Sequence, residues 1–123
     1  MMNRNVIFIG MQPSRAKYRR NCTLDRFEAW VDFLGLRFVS FHNAIVDPLL
    51  PQRLSSVNYE LLHKSVYNYS YVVALGNLVS NSLKRIDTQH FKMPHPSPLN
   101  RLLNDRSYEQ NMLYELRSYV YGD

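Results

Sequence analysis

The chain has little cysteine: Cys22 stands alone among 123 residues. An internal disulfide framework and a cysteine-ligated metal cluster are both excluded. Glycine is also scarce, with only 4. A glycine-rich phosphate loop would need a cluster of them, and Gly10 by itself does not supply one. No apolar run is long enough to span a bilayer, and the N-terminus has no apolar signal-like segment. An intracellular setting is therefore expected, cytoplasmic or nucleoid-associated. No internal repeat or low-complexity tract is present. His42, His63 and His90 have no second ligand at metal-binding spacing, so no metal is expected.

What is present is a globular composition, 46% hydrophobic and 20% charged, in a length that predicts one domain over residues 1–123. The formal charge of +5 favours an anionic partner over a cationic one. Residues 5–10 (Asn-Val-Ile-Phe-Ile-Gly) read as a strand buried on both faces. A polar stretch over 11–22 follows. Thr23 is a candidate cap for a helix carrying Phe27, Trp30, Val31 and Leu34, which Gly35 ends in a left-handed conformation. Residues 37–41 read as a second strand, with His42-Asn43 as its turn and 44–54 as loop. Ser55 or Ser56 is placed as the cap of a second helix through Leu61, Leu62, Val66 and Tyr69. Residues 71–76 give a third strand, and Asn77 is read as the cap of a helix through Leu78, Val79, Leu83 and Ile86. A short strand near 89–93 leads into a proline-rich loop, and Ser107 is expected to start a terminal helix.

This alternation predicts an α/β fold: a short, parallel, four-stranded sheet with helices on its faces, a three-layer αβα arrangement. Ligands of such sheets bind at the carboxyl ends of the strands. The polar residues that are hardest to explain as packing all fall there: Gln12 to Arg20, His42-Asn43, Gly76-Asn77, and His95 to Arg101. Pro94, Pro96 and Pro98 stiffen the last of these. Its N–H groups at Ser97, Leu99 and Asn100 are candidates to meet an anion, with Lys92 and Arg101 adding positive charge.

Gly10-Met11-Gln12-Pro13-Ser14, Asn43, Val72-Val73-Ala74-Leu75-Gly76 and His95-Pro96-Ser97-Pro98-Leu99, taken in that order, resemble the uracil-DNA glycosylase superfamily over almost the whole chain. The resemblance implies a uracil-DNA glycosylase-like fold, a DNA partner in single- or double-stranded form, and hydrolysis of the N-glycosidic bond of a flipped uracil or related base without a cofactor. It makes His95 and Gln12 the catalytic candidates. His95 would donate to the base oxygen as charge develops there, and Gln12 would orient water. Asn43 would read the base, with Gly10, Met11, Pro13 and Ser14 shaping the pocket around it. Pro96, Ser97, Pro98, Asn100 and Arg101 would meet the DNA backbone, with Leu99 as an apolar wedge. Arg15, Lys17, Arg19 and Arg20 are expected to track phosphates, with Tyr18 among them.

The pattern departs from the superfamily at two places. Gln12 stands where archetypal uracil glycosylases have Asp. Ser14 replaces a Tyr that blocks the thymine methyl, which leaves room near the base C5 position. Phe27, Phe41 and Tyr18 are the candidates for stacking on the base. Three readings follow: a monofunctional DNA glycosylase acting as a monomer, a non-catalytic relative that binds DNA or a protein through the same crevice, and a small nucleotide-binding domain. The compact chain suits a virus or mobile element.

Overall fold

The computed structural model describes residues 5–13, 22–97 and 100–122. Within them lie strands β1 (Val6–Gly10), β2 (Ser40–Asn43), β3 (Tyr71–Leu75) and β4 (Phe91–Met93). The α-helices are α1 (Cys22–Leu34), α2 (Tyr59–Val66), α3 (Asn77–Arg85) and α4 (Arg106–Tyr121). All strand pairs are parallel, in the order β2-β1-β3-β4. The fold is thus α/β with a four-stranded all-parallel sheet.

Alternation along the two central strands divides the core. Val6 and Phe8 of β1 and Val73 and Leu75 of β3 pack with Trp30 and Leu34 of α1 and with Leu113, Leu116 and Val120 of α4. Ile7 and Ile9 of β1 and Val72 and Ala74 of β3 pack with Leu62 and Val66 of α2 and with Val79 and Leu83 of α3. Successive strand side chains point to opposite faces, so an unbroken apolar run serves two helix layers at once. Trp30 Nε1 donates to Glu109 Oε2 at 2.8 Å, and Tyr121 OH donates to the Leu34 carbonyl at 2.8 Å, tying α4 to α1.

Several boundaries differ from the sequence reading. β2 covers Ser40–Asn43 and not 37–41. Among the described residues it is an edge strand whose sole ladder partner is β1, and Ile7 pairs with Ser40, so residues 37–38 lie beyond the start of β1. Ser55 and Ser56 belong to a 3-10 turn, Leu54–Ser56, and the cap of α2 is Asn58, whose Oδ1 accepts the Leu61 N–H at 3.1 Å. Gly76 and not Asn77 caps α3, and Asp105 and not Ser107 caps α4, accepting the N–H groups of Ser107 and Tyr108. Cys22 already lies in α1, so Thr23 is inside that helix and not before it. β4 begins at Phe91; Gln89 and His90 precede it, and His90 bonds through its ring to Ser80 Oγ and the Thr88 carbonyl. Gly35 does take the left-handed conformation, with φ at 69°.

The strand order decides where a ligand can sit. β1 is followed on one side by β2 and on the other by β3, so the connections leave in opposite directions and a crevice opens between the carboxyl ends of β1 and β3.

Candidate active site

That crevice is a cleft of about 610 Å³, within the ordinary range for a small-ligand site. Gly10, Met11, Gln12 and Pro13 supply its floor from the end of β1. Phe41 and Asn43 come from β2, Leu75 from β3, His95 and Pro96 from the loop after β4, and Thr23, Leu24 and Phe27 from α1. The cleft therefore gathers His95, Gln12, Asn43, Gly10, Met11, Pro13 and Pro96 from the sequence candidates. Ser14, Arg15, Lys17, Tyr18, Arg19, Arg20, Pro98 and Leu99 lie outside the described residues.

Gly10 is required at the floor. A Cβ there would stand 2.5 Å from Phe41 Cζ and 2.8 Å from Asn43 Oδ1. Register explains the closeness: Gly10 pairs with Asn43 and Phe8 with Phe41, so these side chains share one face and lean across the bare glycine backbone. The Asn43 amide makes no hydrogen bond with any described residue, leaving both its donor and its acceptor to a ligand. Phe41 meets the edge of Phe27 with ring centroids 5.3 Å apart, and Phe27 meets Phe8 of the core at 5.0 Å. Phe27 is thus at once a core residue and a wall of the cleft. His42 points to the opposite face, alongside Ile9, and its buried Nε2 has no partner among the described residues.

His95 is held on three sides. The Ser97 N–H donates to its Nδ1 at 3.1 Å, the Asn100 Nδ2 donates to its carbonyl at 3.0 Å, and Gly76 lies against its Cβ. A Cβ on Gly76 would stand 3.3 Å from the His95 Cβ, and Gly76 has φ 99° and ψ 172°, a region open essentially to glycine alone. Burial pushes the His95 imidazole below the ordinary histidine value, so the ring is neutral at pH 7. Because Nδ1 accepts, the ring proton is on Nε2, which no described residue engages. His95 is thereby a neutral donor facing a cleft.

Two expectations for the proline loop are corrected, for its N–H groups and for Pro96. The N–H groups of Ser97 and Asn100 do not await an anion: the first is bonded to His95 Nδ1 and the second to the Ser97 carbonyl at 3.0 Å. The Asn100 side chain donates to the His95 carbonyl and accepts the Leu102 N–H, so it positions His95 while one amide N–H and one acceptor position are left over. Pro96, expected to meet the DNA backbone, is buried and lines the cleft. Arg101 is exposed, at the start of a 3-10 turn, Arg101–Asn104. Lys92 Nζ donates to Asn77 Oδ1 at 3.0 Å, beside the first turn of α3.

Gln12 is also more constrained than its sequence position implies. Its Nε2 donates to the carbonyls of Asp47, at 3.0 Å, and Leu50, at 2.8 Å, while its Oε1 accepts from Gln52 Nε2 at 3.2 Å. Both amide protons are spent on the loop after β2, and one acceptor position on Oε1 remains. Sequence reading missed this loop: Leu50, Pro51 and Gln52 line the cleft. The signal present in the sequence was Pro48 and Pro51 bracketing two leucines, a stiff segment just after Asn43.

Among the described residues no group of three or more His, Cys, Asp or Glu side chains is close enough to hold a metal ion, and no helix is long and apolar enough to cross a membrane. Comparison with protein-family models, with curated proteins and with solved structures finds no match for this chain.

Proposed function

We propose that the cleft binds a nucleobase flipped out of DNA, and that the protein is a DNA glycosylase of the uracil-DNA glycosylase type with a three-layer αβα fold of that kind. The observation that carries this reading is the pairing of two groups in one cleft. His95 offers a neutral Nε2–H, and Asn43 offers an amide without a described partner. When a base leaves deoxyribose, the electron pair of the glycosidic bond moves onto the base and spreads to its carbonyl oxygens. A neutral donor fixed before the reaction stabilises that charge without reorganising. Asn43 recognises the base edge by presenting a donor and an acceptor together. Phe41 and Phe27 supply aromatic surface beside it. Water then adds to the sugar carbon and gives up a proton to solvent. The free acceptor position on Gln12 Oε1 can orient that water, although Gln12 cannot take its proton.

A net charge of +5 suits a polyanionic substrate. The test is base release from oligonucleotides carrying uracil, mismatched thymine, hypoxanthine or 5-hydroxymethyluracil, with His95→Ala beside the unaltered protein. Release that is lost in the variant supports the reading, and no release from any substrate removes it. The Gln12 arrangement favours one alternative, a non-catalytic relative that holds a flipped base in the same cleft: with both amide protons committed to a loop, the position serves as a brace. That alternative predicts binding without release.

A further inference from the structure

A second cavity, of about 630 Å³, lies beside β4 and shares no lining residue with the cleft. It opens because β4 is short. Pairing between β3 and β4 begins at Val73 and Phe91, so the Val72 backbone meets no strand on that side. Tyr119 OH serves it instead, accepting the Val72 N–H at 3.1 Å and donating to the Val72 carbonyl at 3.3 Å. Tyr119 thus gives the cavity a wall whose hydroxyl is already spent. Ser80 and Lys84 of α3, and Thr88, His90 and Lys92 around the start of β4, also line it.

A serine inside a helix has the carbonyl four residues earlier within reach. Ser65 donates to the Leu61 carbonyl in this way at 2.8 Å, and Ser82 to the Leu78 carbonyl at 2.9 Å. Ser80 shares a helix with Ser82, but its Oγ lies 2.7 Å from His90 Nε2. His90 Nδ1 lies 2.8 Å from the Thr88 carbonyl, which can only accept, so Nδ1 carries a proton. In the neutral ring Nε2 then holds the lone pair, and the Ser80 hydroxyl donates to it. Nucleophile, base and orienting group stand in the order that activates a serine, here with a backbone carbonyl as the orienter. Lys84, one turn on from Ser80 in α3, and Lys92 of β4 bring two ammonium groups to the same cavity. We propose that this cavity is a second, hydrolytic site, in which Ser80 takes up the acyl group of a carboxylic ester that bears a negative charge. Ser80 Oγ attacks the carbonyl carbon while its proton passes to His90 Nε2. The lysine ammonium groups meet the substrate's own charge and the charge forming on the carbonyl oxygen. The bond to the alkoxy oxygen breaks, and the leaving alcohol takes the proton from His90. Water then adds to the acyl carbon and gives a proton to His90, and the acid departs as Ser80 Oγ recovers that proton. This activity is separate from the one proposed for the cleft and does not depend on it.

The experiment treats the full chain with an alkyl fluorophosphonate, which transfers its phosphonyl group to an activated serine and releases fluoride, and locates the adduct by peptide mass spectrometry. The adduct should fall on Ser80. His90→Gln, which keeps a polar partner for Ser80 but removes the base, should slow labelling about a hundredfold or more. Turnover of para-nitrophenyl hydrogen succinate should exceed that of para-nitrophenyl acetate, and Ser80→Ala should abolish both, with circular dichroism as the control for folding. No adduct on Ser80 in the unaltered protein overturns the proposal, as does labelling that proceeds equally fast in His90→Gln or ester turnover that persists in Ser80→Ala. A preference for the acetate ester overturns the anionic substrate class assigned to Lys84 and Lys92.

Discussion

Replacing His95 with Ala removes a single donor, and the surroundings of the ring let the cost be worked out in parts. The ring makes one described hydrogen bond, from the Ser97 N–H to Nδ1. Its loss leaves an amide beside an open cleft that water can reach, so the fold should lose only about 1 kcal/mol. The backbone clamp from Asn100 to the residue-95 carbonyl is independent of the side chain and stays. On the proposed reading the chemical cost is larger, because Nε2–H would meet charge that appears only as the bond breaks. A preorganised donor of that kind is worth about 3–4 kcal/mol, so base release should slow roughly 10²- to 10³-fold. The loss should appear in kcat and in kcat/KM alike, since the interaction belongs to the transition state. His95→Asn is the informative companion. Its carbonyl can accept from Ser97 as Nδ1 does, and its amide is a shorter donor, so release should lie between the two. Single-turnover release from a uracil duplex, with circular dichroism as the control for folding, checks both variants. Release by His95→Ala within about threefold of the unaltered rate, well short of one donor's worth, refutes the assignment of His95 as the charge-stabilising donor.

Three other outcomes follow from the same geometry. Gly10→Ala drives a Cβ into Phe41 and Asn43. Overpacking of this sort costs about 1–3 kcal/mol, so urea denaturation should show that loss and an abasic-site duplex should bind more weakly; unchanged values for both would mean the two side chains move aside freely. Burial holds His42 and His95 below the ordinary histidine value of 6.5. The unfolded chain therefore takes up protons that the folded chain refuses, so stability is full above pH 6.5 and declines as pH falls through 6.5 toward the lowered folded values. Thermal unfolding between about pH 5 and pH 8 reads this, and a melting temperature that rises on acidification contradicts it. Gln12→Asp faces a carboxylate toward the carbonyls of Asp47 and Leu50 in place of two donors. The exchange should cost about 1–2 kcal/mol, read by urea denaturation, and should not raise release; an increase in release would show that the loop yields easily.

The fold was legible because its signals are local and repeated. Val6 to Ile9 and Val72 to Leu75 are apolar without interruption, and such runs pay only in strands covered on both faces. Caps were read less well, because Ser55 and Ser107 share their capping chemistry with Asn58 and Asp105, which do the capping, and the choice among neighbours is made by tertiary geometry. At Gly76 the deciding constraint is the His95 side chain, nineteen positions along the chain, which no local pattern reveals.

The site was legible in its members and not in their connections. His95, Asn43, Gly10 and Gln12 can be picked out one by one, and the parallel order carries them to one end of the sheet. What a linear reading cannot supply is which hydrogen bonds each has already spent. Asn100 reads as a DNA contact alone, with no sign that its amide also holds the His95 carbonyl and the Leu102 N–H. Gln12 reads as a residue that orients water, with no sign that both its amide protons are held by Asp47 and Leu50. An Asp at position 12 would have no proton to give those carbonyls, so Gln12 and the proline-bracketed turn make sense only together.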